Sequence, residues 1–594
     1  DAGVASATEF KLQPGVALTG SQMAALTHDI VWMVEQSVTL PNGQATKALV
    51  PVVYLARATA SDFKPSGSLI SAENIDLKIS GTLENSGTLM ASNRMLISGS
   101  SINNTGNLVT TSTNGQMTLV ASQDLNSSGL IQGHQVKLAA GNDLNLQTTT
   151  LTSTASSGSR TQLAKVATVV ADDLTLVAGR DLNLGAAQVQ TTGDATLAAG
   201  RNVNLTAVTT RLVENIEFDP KNSTHSDQSL ANGTQIATGG NLSLIAGQDI
   251  TTSAAYLNAN KAITLQAVGS VTLGTADQFS HFDQSVSRTS KGTFSSSLTE
   301  SKFVQDVHTV VGTTLSGDSI QINAGKDIAV IGSTVAGTQD VTLAAGNDIK
   351  IVAATSSMTE SSYNHSKQTG LMSSGGIGFT VGKRDQQDRF DQTKTTQSEN
   401  RSLVGSTDGS VKISAGNLAQ VSGSDVTAGK NIDVIAKTVV IDPGTDQASS
   451  HESHEFMQAG LTVGLGGGVM ALAQDAASTL ETAKAAKGDK RAIALNGIVT
   501  SVKGGEIYDR GQTMASAMSE NGASGVAGAS GIKVSASIGM SQSKSESTTS
   551  AKNNAGSTII AAGDLNITAT EGDLSAPGAT LLGENIALEA AKNL

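Results

Sequence analysis

The residues best suited to chemistry are carboxylates that recur in one local setting. Asp143, Asp181, Asp327 and Asp348 each follow a glycine by two positions, in Gly141-Asn142-Asp143, Gly179-Arg180-Asp181, Gly325-Lys326-Asp327 and Gly346-Asn347-Asp348. A regular fold that brought them onto one face could bind Ca²⁺ or act as acid and base on a polysaccharide. Their surroundings speak against that use. Asn202 and Asn431 take the same place in other copies, and Arg180, Arg201, Lys326 and Lys430 sit one residue before it. Copies stacked ~4.8 Å apart would set bare carboxylates against each other at a cost of roughly 1 kcal/mol even in water. Interspersed amides and cations relieve that repulsion, so the pattern reads as a structural corner.

Histidine is the second candidate. His451-Glu452-Ser453-His454-Glu455 comes near the zinc-helix pattern, but that pattern needs a histidine at 455, where Glu stands. His225, His281 and His365 each open a short polar run, and spacing assembles no Ser-His-Asp set. These histidines read as solvated loop residues. Gly466-Gly467-Gly468 lacks the aspartate that a calcium roll requires. The chain has no cysteine, which excludes disulfides and thiol catalysis. No catalytic, metal or cofactor-binding residue is assigned, and neither a cofactor nor a small-molecule substrate is expected. A net charge of −13 argues against nucleic acid as a partner. The rival reading, a carbohydrate-active β-helix enzyme, needs acid, base and cation grouped on one face, and the corners are instead spread and substitutable.

The elements that carry these corners follow from the same repeat. Gly179 to Gly200 is 21 residues, as is Gly325 to Gly346, and Gly87 to Gly106 is 19. A fixed period near 20 marks a solenoid. Glycine permits a positive φ at a corner, and Asn or Asp tolerates the turn beside it. The residues that follow alternate apolar and polar, as in Leu182-Asn183-Leu184, the period of a strand with one buried face. One such unit has room for three short strands and three corners, and it must stack on its neighbours to bury its apolar side. The expectation is an all-β protein, a right-handed parallel β-helix of roughly 15 coils and about 70 Å, with Leu197, Leu343 and Ile349 in the bore. Aromatic residues make up only 3%, in keeping with a narrow aliphatic core.

Taken in order, the chain divides into five parts. Residues 1–65 are a non-repeat module that holds four of the seven prolines and the single Trp32. Ser21 could cap a short helix to Leu26. Ile30 to Leu40 and Ala48 to Leu55 flank the turn Pro41-Asn42-Gly43 as a β-hairpin. Residues 66–208 are coils, broken by a Ser/Thr-rich stretch at 151–164. Residues 209–445 alternate pairs of coils with His/Ser-rich excursions at 209–233, 274–311 and 355–402. Residues 446–555 form a large Gly/Ala/Ser-rich insert, with a possible helix at Met470 to Lys487 and an alternating strand at Gly531 to Met540. Residues 556–594 are coils again. His281 to His365 is 84 residues and His365 to His451 is 86, so the higher-order unit is one excursion and two coils. The alternating segment at 531–540 has the length of a membrane β-strand, and those at 376–382 and 461–465 are similar but shorter; the plainer alternative is a hairpin lying on the solenoid flank. No run of 18 apolar residues suggests a membrane helix, and both ends read as cuts through a longer protein.

Two segments carry a family resemblance. Leu26-Thr27-His28-Asp29-Ile30-Val31-Trp32-Met33-Val34-Glu35-Gln36, with Leu49-Val50-Pro51-Val52-Val53-Tyr54-Leu55, resembles a stretch of filamentous-haemagglutinin-type exoproteins. The Ala-Gly-x-Asp-Ile coils and the His/Ser-rich excursions resemble the haemagglutinin repeats that follow it. The resemblance implies secretion by the two-partner route, with an outer-membrane transporter as partner during export. It also implies a place at the bacterial cell surface. It implies either adhesion to host surfaces or delivery of a C-terminal toxin to neighbouring bacteria, with the target-cell outer membrane or a surface receptor as partner. It brings no catalytic residues.

Overall fold

The computed structural model describes residues 30–39, 45–54, 67–373, 377–466 and 533–594. Every regular element among them is a β-strand. Ile30–Thr39 pairs antiparallel with Ala45–Tyr54, the hairpin expected from the two β-branched runs, and Ile30 and Trp32 are buried in it. The turn at 41–43 and both expected helices, 21–26 and 470–487, lie outside the described residues.

From residue 69 the chain winds as a parallel β-helix. One coil shows the plan. Thr168–Ala171 and Asp173–Ala178 lie in a large parallel sheet, and Leu182–Gly185 lies in a second one. The large sheet has 26 strands. Twelve coils contribute two strands each and the first two coils a single fused strand (Leu69–Lys78, Thr88–Gly99), which makes fourteen coils. At one strand spacing per coil the stack is about 65 Å long.

The bore follows from strict alternation. In the large sheet Leu138, Leu176, Leu197, Leu244, Leu265, Ile322, Leu343, Ile413 and Val434 form one column in register. Leu144, Leu182, Val203, Ile250, Val271, Ile328 and Ile349 form another in the second sheet. Leu197, Leu343 and Ile349 are fully buried, as expected. A one-residue slip would turn a whole column outward, so burial itself fixes the register. On the outer face between these leucines, Asn126, Asn145, Asn183 and Asn204 each donate from Nδ2 to the Oδ1 of the asparagine one coil below, at 2.8 Å.

One corner decides where excursions occur. Between the second sheet and the next coil the chain can turn through a single residue of positive φ. It does so at Ala186, Ala254, Gly332, Gly423 and Gly578, with φ from 48° to 66°. At the same corner of the intervening coils the chain leaves as a hairpin instead. Among the described residues five hairpins leave there: Thr149–Ala155 with Gly158–Lys165, Val208–Asp219 with Asn222–Asn232, Val271–Lys291 with Ser295–Gly312, Ser356–Ser373 with Ile377–Thr396, and Gly444–Gly466 with Lys533–Ala555. The first occupies the Ser/Thr-rich stretch that the sequence marks only as an interruption. Tight corner and hairpin alternate from residue 148 to residue 578.

Where a coil re-enters the large sheet, a small residue is stacked. Thr234, Thr313, Ser402 and Ser557 fill this position after hairpins and are fully buried. Their hydroxyls reach carbonyls at the departure point. Ser402 Oγ donates to the carbonyls of Val330 (3.0 Å) and Val352 (2.7 Å), and Thr313 Oγ1 to that of Gly274 (2.9 Å). The departure-point carbonyls also accept a backbone N–H, from Gly332 on Val352 at 2.9 Å and from Thr313 on Gly274 at 3.2 Å, so the hydroxyl column adds a second donor that ties the returning coil to the point it left.

Candidate functional site: a sheet of stacked hairpins

The corner aspartates come first, because they were the strongest chemical candidates. Asp143 accepts Arg180 Nε (3.1 Å) and Nη2 (2.8 Å), together with the backbone N–H of Asp181 (3.2 Å). Asp181 accepts Arg201 Nε (2.9 Å) and the backbone N–H of Asn202 (3.1 Å). The Arg201 hydrogen bond holds the Asp181 carboxyl below its usual range, against a smaller opposing push from burial. Asp327 accepts Nδ2 of Asn347 and Asp348 accepts Nδ2 of Asn417, both at 2.8 Å. Each carboxylate is thus a staple from one coil to the next.

The hairpins form the second candidate, and their arrangement corrects one of the two expectations. They do not lie on the solenoid flank. Each pairs antiparallel with the one before it, through 158–161 with 211–214, 223–229 with 279–285, 295–308 with 357–370 and 377–395 with 447–465. The five hairpins make one continuous ten-strand antiparallel sheet. Away from their bases these strands pack on one another and not on the coils. Strands grow from 7 residues in the first hairpin to 23 in the last, and 18 residues of strand span roughly 60 Å.

A simple match of spacings explains why hairpins occupy alternate coils. Adjacent strands in any sheet lie about 4.8 Å apart. Two coils therefore advance the departure point by about 9.6 Å, which is the width of one two-stranded hairpin. Hairpins on alternate coils tile without gap or overlap. On every coil they would collide, and on every third coil they would leave a missing strand.

Away from its distal end, burial cannot register this sheet, since its strands there are largely polar on both faces. Opposed charges take over. Asp227 stands opposite His281, and His225 opposite Asp283, so that two His-x-Asp runs meet reciprocally. Glu300 stands opposite His365, with Nδ1 to Oε2 at 3.3 Å. Asp388 stands opposite His454, with Nδ1 to Oδ1 at 2.9 Å, and Asp391 stands opposite His451. At each of these three seams a histidine on the first strand of one hairpin faces a carboxylate on the last strand of the hairpin before. The histidines are therefore strand residues engaged in pairing, a correction to their reading as solvated loops. Hydrogen bonds to Asp388 and to Glu452 (2.8 Å) raise the His454 pKa above its usual value. The Arg211 hydrogen bond holds Asp227 low; burial opposes it, and His225 and His281 add to it. His451 and His454 sit on a strand three residues apart, which sends them to opposite faces and excludes a shared metal. Among the described residues no group of three or more His, Asp or Glu is placed to hold a metal ion.

The distal end of the sheet is different in kind. Leu371, Val381, Leu461 and Ile538 stand opposite one another across four strands. All four are exposed, Ile538 to 85%. Gly370, Gly382, Gly460 and Gly539 form the adjacent row. Sequence reading found the alternating segments here but could not tell that they share one row.

Fold and site together define a repeat protein of the parallel β-helix class that carries a hairpin sheet, an architecture suited to reach and contact. The chain matches the hemagglutinin-repeat family model over residues 219–303, 292–401, 381–493 and 511–594. It belongs to the filamentous haemagglutinin and contact-dependent growth inhibition exoprotein family. It is 32% identical to the 16S rRNA endonuclease CdiA of Enterobacter cloacae, over 98% of this chain and 20% of that protein. It is 32% identical to the deoxyribonuclease CdiA of Dickeya dadantii over the same shares. It is 36% identical to the tRNA nuclease CdiA of Yersinia mollaretii over 39% of this chain and 8% of that protein. The chain spans about a fifth of the length of the relatives that match it throughout. The matched model is a repeat, so the nuclease activities in those names describe the relatives as wholes. No solved structure matches the chain significantly.

Proposed function

We propose that this chain is a non-enzymatic stalk segment of a secreted cell-surface exoprotein that delivers a toxin to neighbouring bacteria on contact. In this reading the distal ends of the fourth and fifth hairpins engage the target outer membrane. The single observation that carries it is the exposed row Leu371, Val381, Leu461 and Ile538, beside a glycine row, on a four-stranded antiparallel sheet. Apolar alternation over about ten residues suits a membrane-entering strand. The solenoid would supply reach, and an outer-membrane transporter of the two-partner type would export the chain. The relatives' names, each a nuclease, favour delivery over adhesion.

The test uses the full-length parent protein with Leu461→Asp and Ile538→Asp together. Two acids on a lipid-facing row together cost about 1–2 kcal/mol, each less than a midplane Arg or Lys, so inhibition of target cells should fall by about five- to thirtyfold. Surface display and secretion should stay as they were. Full inhibition by the double variant refutes membrane engagement, and a loss of display shows that the row serves folding.

A further inference from the structure

Beside the exposed apolar row at the distal end of the hairpin sheet runs a row of another kind. The register joins Lys291, Ser296, Thr369, Lys383, Ala459 and Met540 across six strands. The last four lie two residues along their strands from Leu371, Val381, Leu461 and Ile538, so both rows stand on one face, about 7 Å apart. The third hairpin joins at its tip. Phe294 there is 76% exposed, and its carbonyl accepts the backbone N–H of Leu371 at 2.9 Å. The apolar row therefore begins on the third hairpin, beside Lys291.

The whole chain carries a net charge of −13, yet this row holds two cations and no carboxylate. Lys291 and Lys383 are exposed, and neither has an ion-pair or hydrogen-bond partner among the described residues. Three strand spacings separate them, about 14 Å. In the next row toward the coils Asp385 stands opposite Lys367. That carboxylate is already engaged, by His365 Nε2 at 2.8 Å and by Lys367 Nζ at 3.6 Å. The coils lie about 50 Å away, far beyond the ~8 Å over which charges act at physiological salt, so their carboxylates do not offset the lysines. When an apolar row enters hydrocarbon, lysines one row behind it hold their ammonium groups at the level of the headgroups. We infer that Lys291 and Lys383 bind the phosphates of anionic lipid headgroups, so that this end of the sheet selects a negatively charged bilayer; the inference rests on the membrane reading above.

The test is flotation of the 594-residue chain with two kinds of vesicle, phosphatidylcholine alone and phosphatidylcholine mixed with phosphatidylglycerol. The mixed vesicles should bind more tightly, by about fivefold for each lysine and so about twenty-five-fold in all. The preference should vanish at about 1 M salt. Lys291→Gln with Lys383→Gln should remove the preference and leave binding to phosphatidylcholine unchanged. Leu461→Asp with Ile538→Asp should weaken binding to both vesicles. Equal binding of the unaltered chain to both, or a preference that survives in the lysine variant, overturns the headgroup assignment and leaves the membrane reading standing. Flotation with neither vesicle overturns the membrane reading and the assignment with it. Retention on immobilised polyglutamate without flotation gives the lysines to an acidic protein, which overturns the lipid equally.

Discussion

Ser402 offers the sharpest test of how the solenoid survives its interruptions. It is fully buried where the chain returns from the fourth hairpin. Its hydroxyl serves the carbonyls of Val330 and Val352, at 3.0 and 2.7 Å, and accepts the backbone N–H of Ser333 at 3.2 Å. Alanine fits the site sterically, since Ala167, Ala187 and Ala255 hold the same stacked position in other coils and are equally buried. Ser402→Ala therefore removes hydrogen bonds and little else. A buried polar group left without a partner costs about 1–3 kcal/mol, and that is the expected loss. Ser402→Thr keeps the hydroxyl, as Thr234 and Thr313 do, and should be close to neutral. Solenoid stability is a sum of local terms, so the assay is hydrogen exchange resolved by peptide. Amides of 328–335 and 400–406 should lose protection in the alanine variant, while those of 174–205 should not change. A loss below about 0.5 kcal/mol, less than a typical net hydrogen bond, would refute the argument. So would equal losses for alanine and threonine, which would make the position one of shape.

Two further outcomes follow. Replacing 353–401 by a single glycine recreates the tight corner seen at Ile331-Gly332-Ser333, so the coils should remain folded and protease-resistant. The hairpin sheet should divide in two, and exchange should accelerate at 295–308 and 447–465, each of which loses its partner on one side; unfolding of the flanking coils would contradict this. The second outcome concerns pH at the seam between the fourth and fifth hairpins. Because the folded pKa of His454 is raised, its contribution is complete below about 6.5, the ordinary histidine value, and is lost as pH rises through the folded value. After correction for intrinsic exchange rates, amides of 379–395 should be better protected at low pH than at high pH. His454→Gln, which leaves Asp388 and Glu452 without their cation, should abolish the difference, and persistence of the full difference in that variant would refute the assignment.

Much of this molecule was legible from local rules. The period of about 20 was legible from glycine at a corner and from two-residue alternation, but the expected reason for the glycine was not. Gly141, Gly179, Gly200, Gly325 and Gly346 do not take a positive φ. A Cβ there would instead meet a carbonyl of the adjacent coil at 2.0–2.2 Å. The bore residues followed directly, because only one face of each strand can be buried and a slip exposes the whole column. The corner aspartates were legible as structural from the Asn, Arg and Lys interspersed with them, though their exact acceptors, such as the N–H of Asp181 on Asp143, needed the stack.

The hairpin sheet was decided by tertiary structure. Its strands are rich in Ser, Thr, Gln and Gly, with no apolar face outside the distal segments to announce a partner, and its seams join residues far apart in sequence, as His365 with Glu300 and His454 with Asp388. The stretch 149–165 carries no histidine, so nothing in its composition tied it to the other excursions. What links them is a length: two coils and one hairpin have the same width, because both are counted in strand spacings. That equality exists only once the coils are stacked. The sequence by itself determined a coil that must repeat; the stacking of coils determined that five polar interruptions would meet edge to edge.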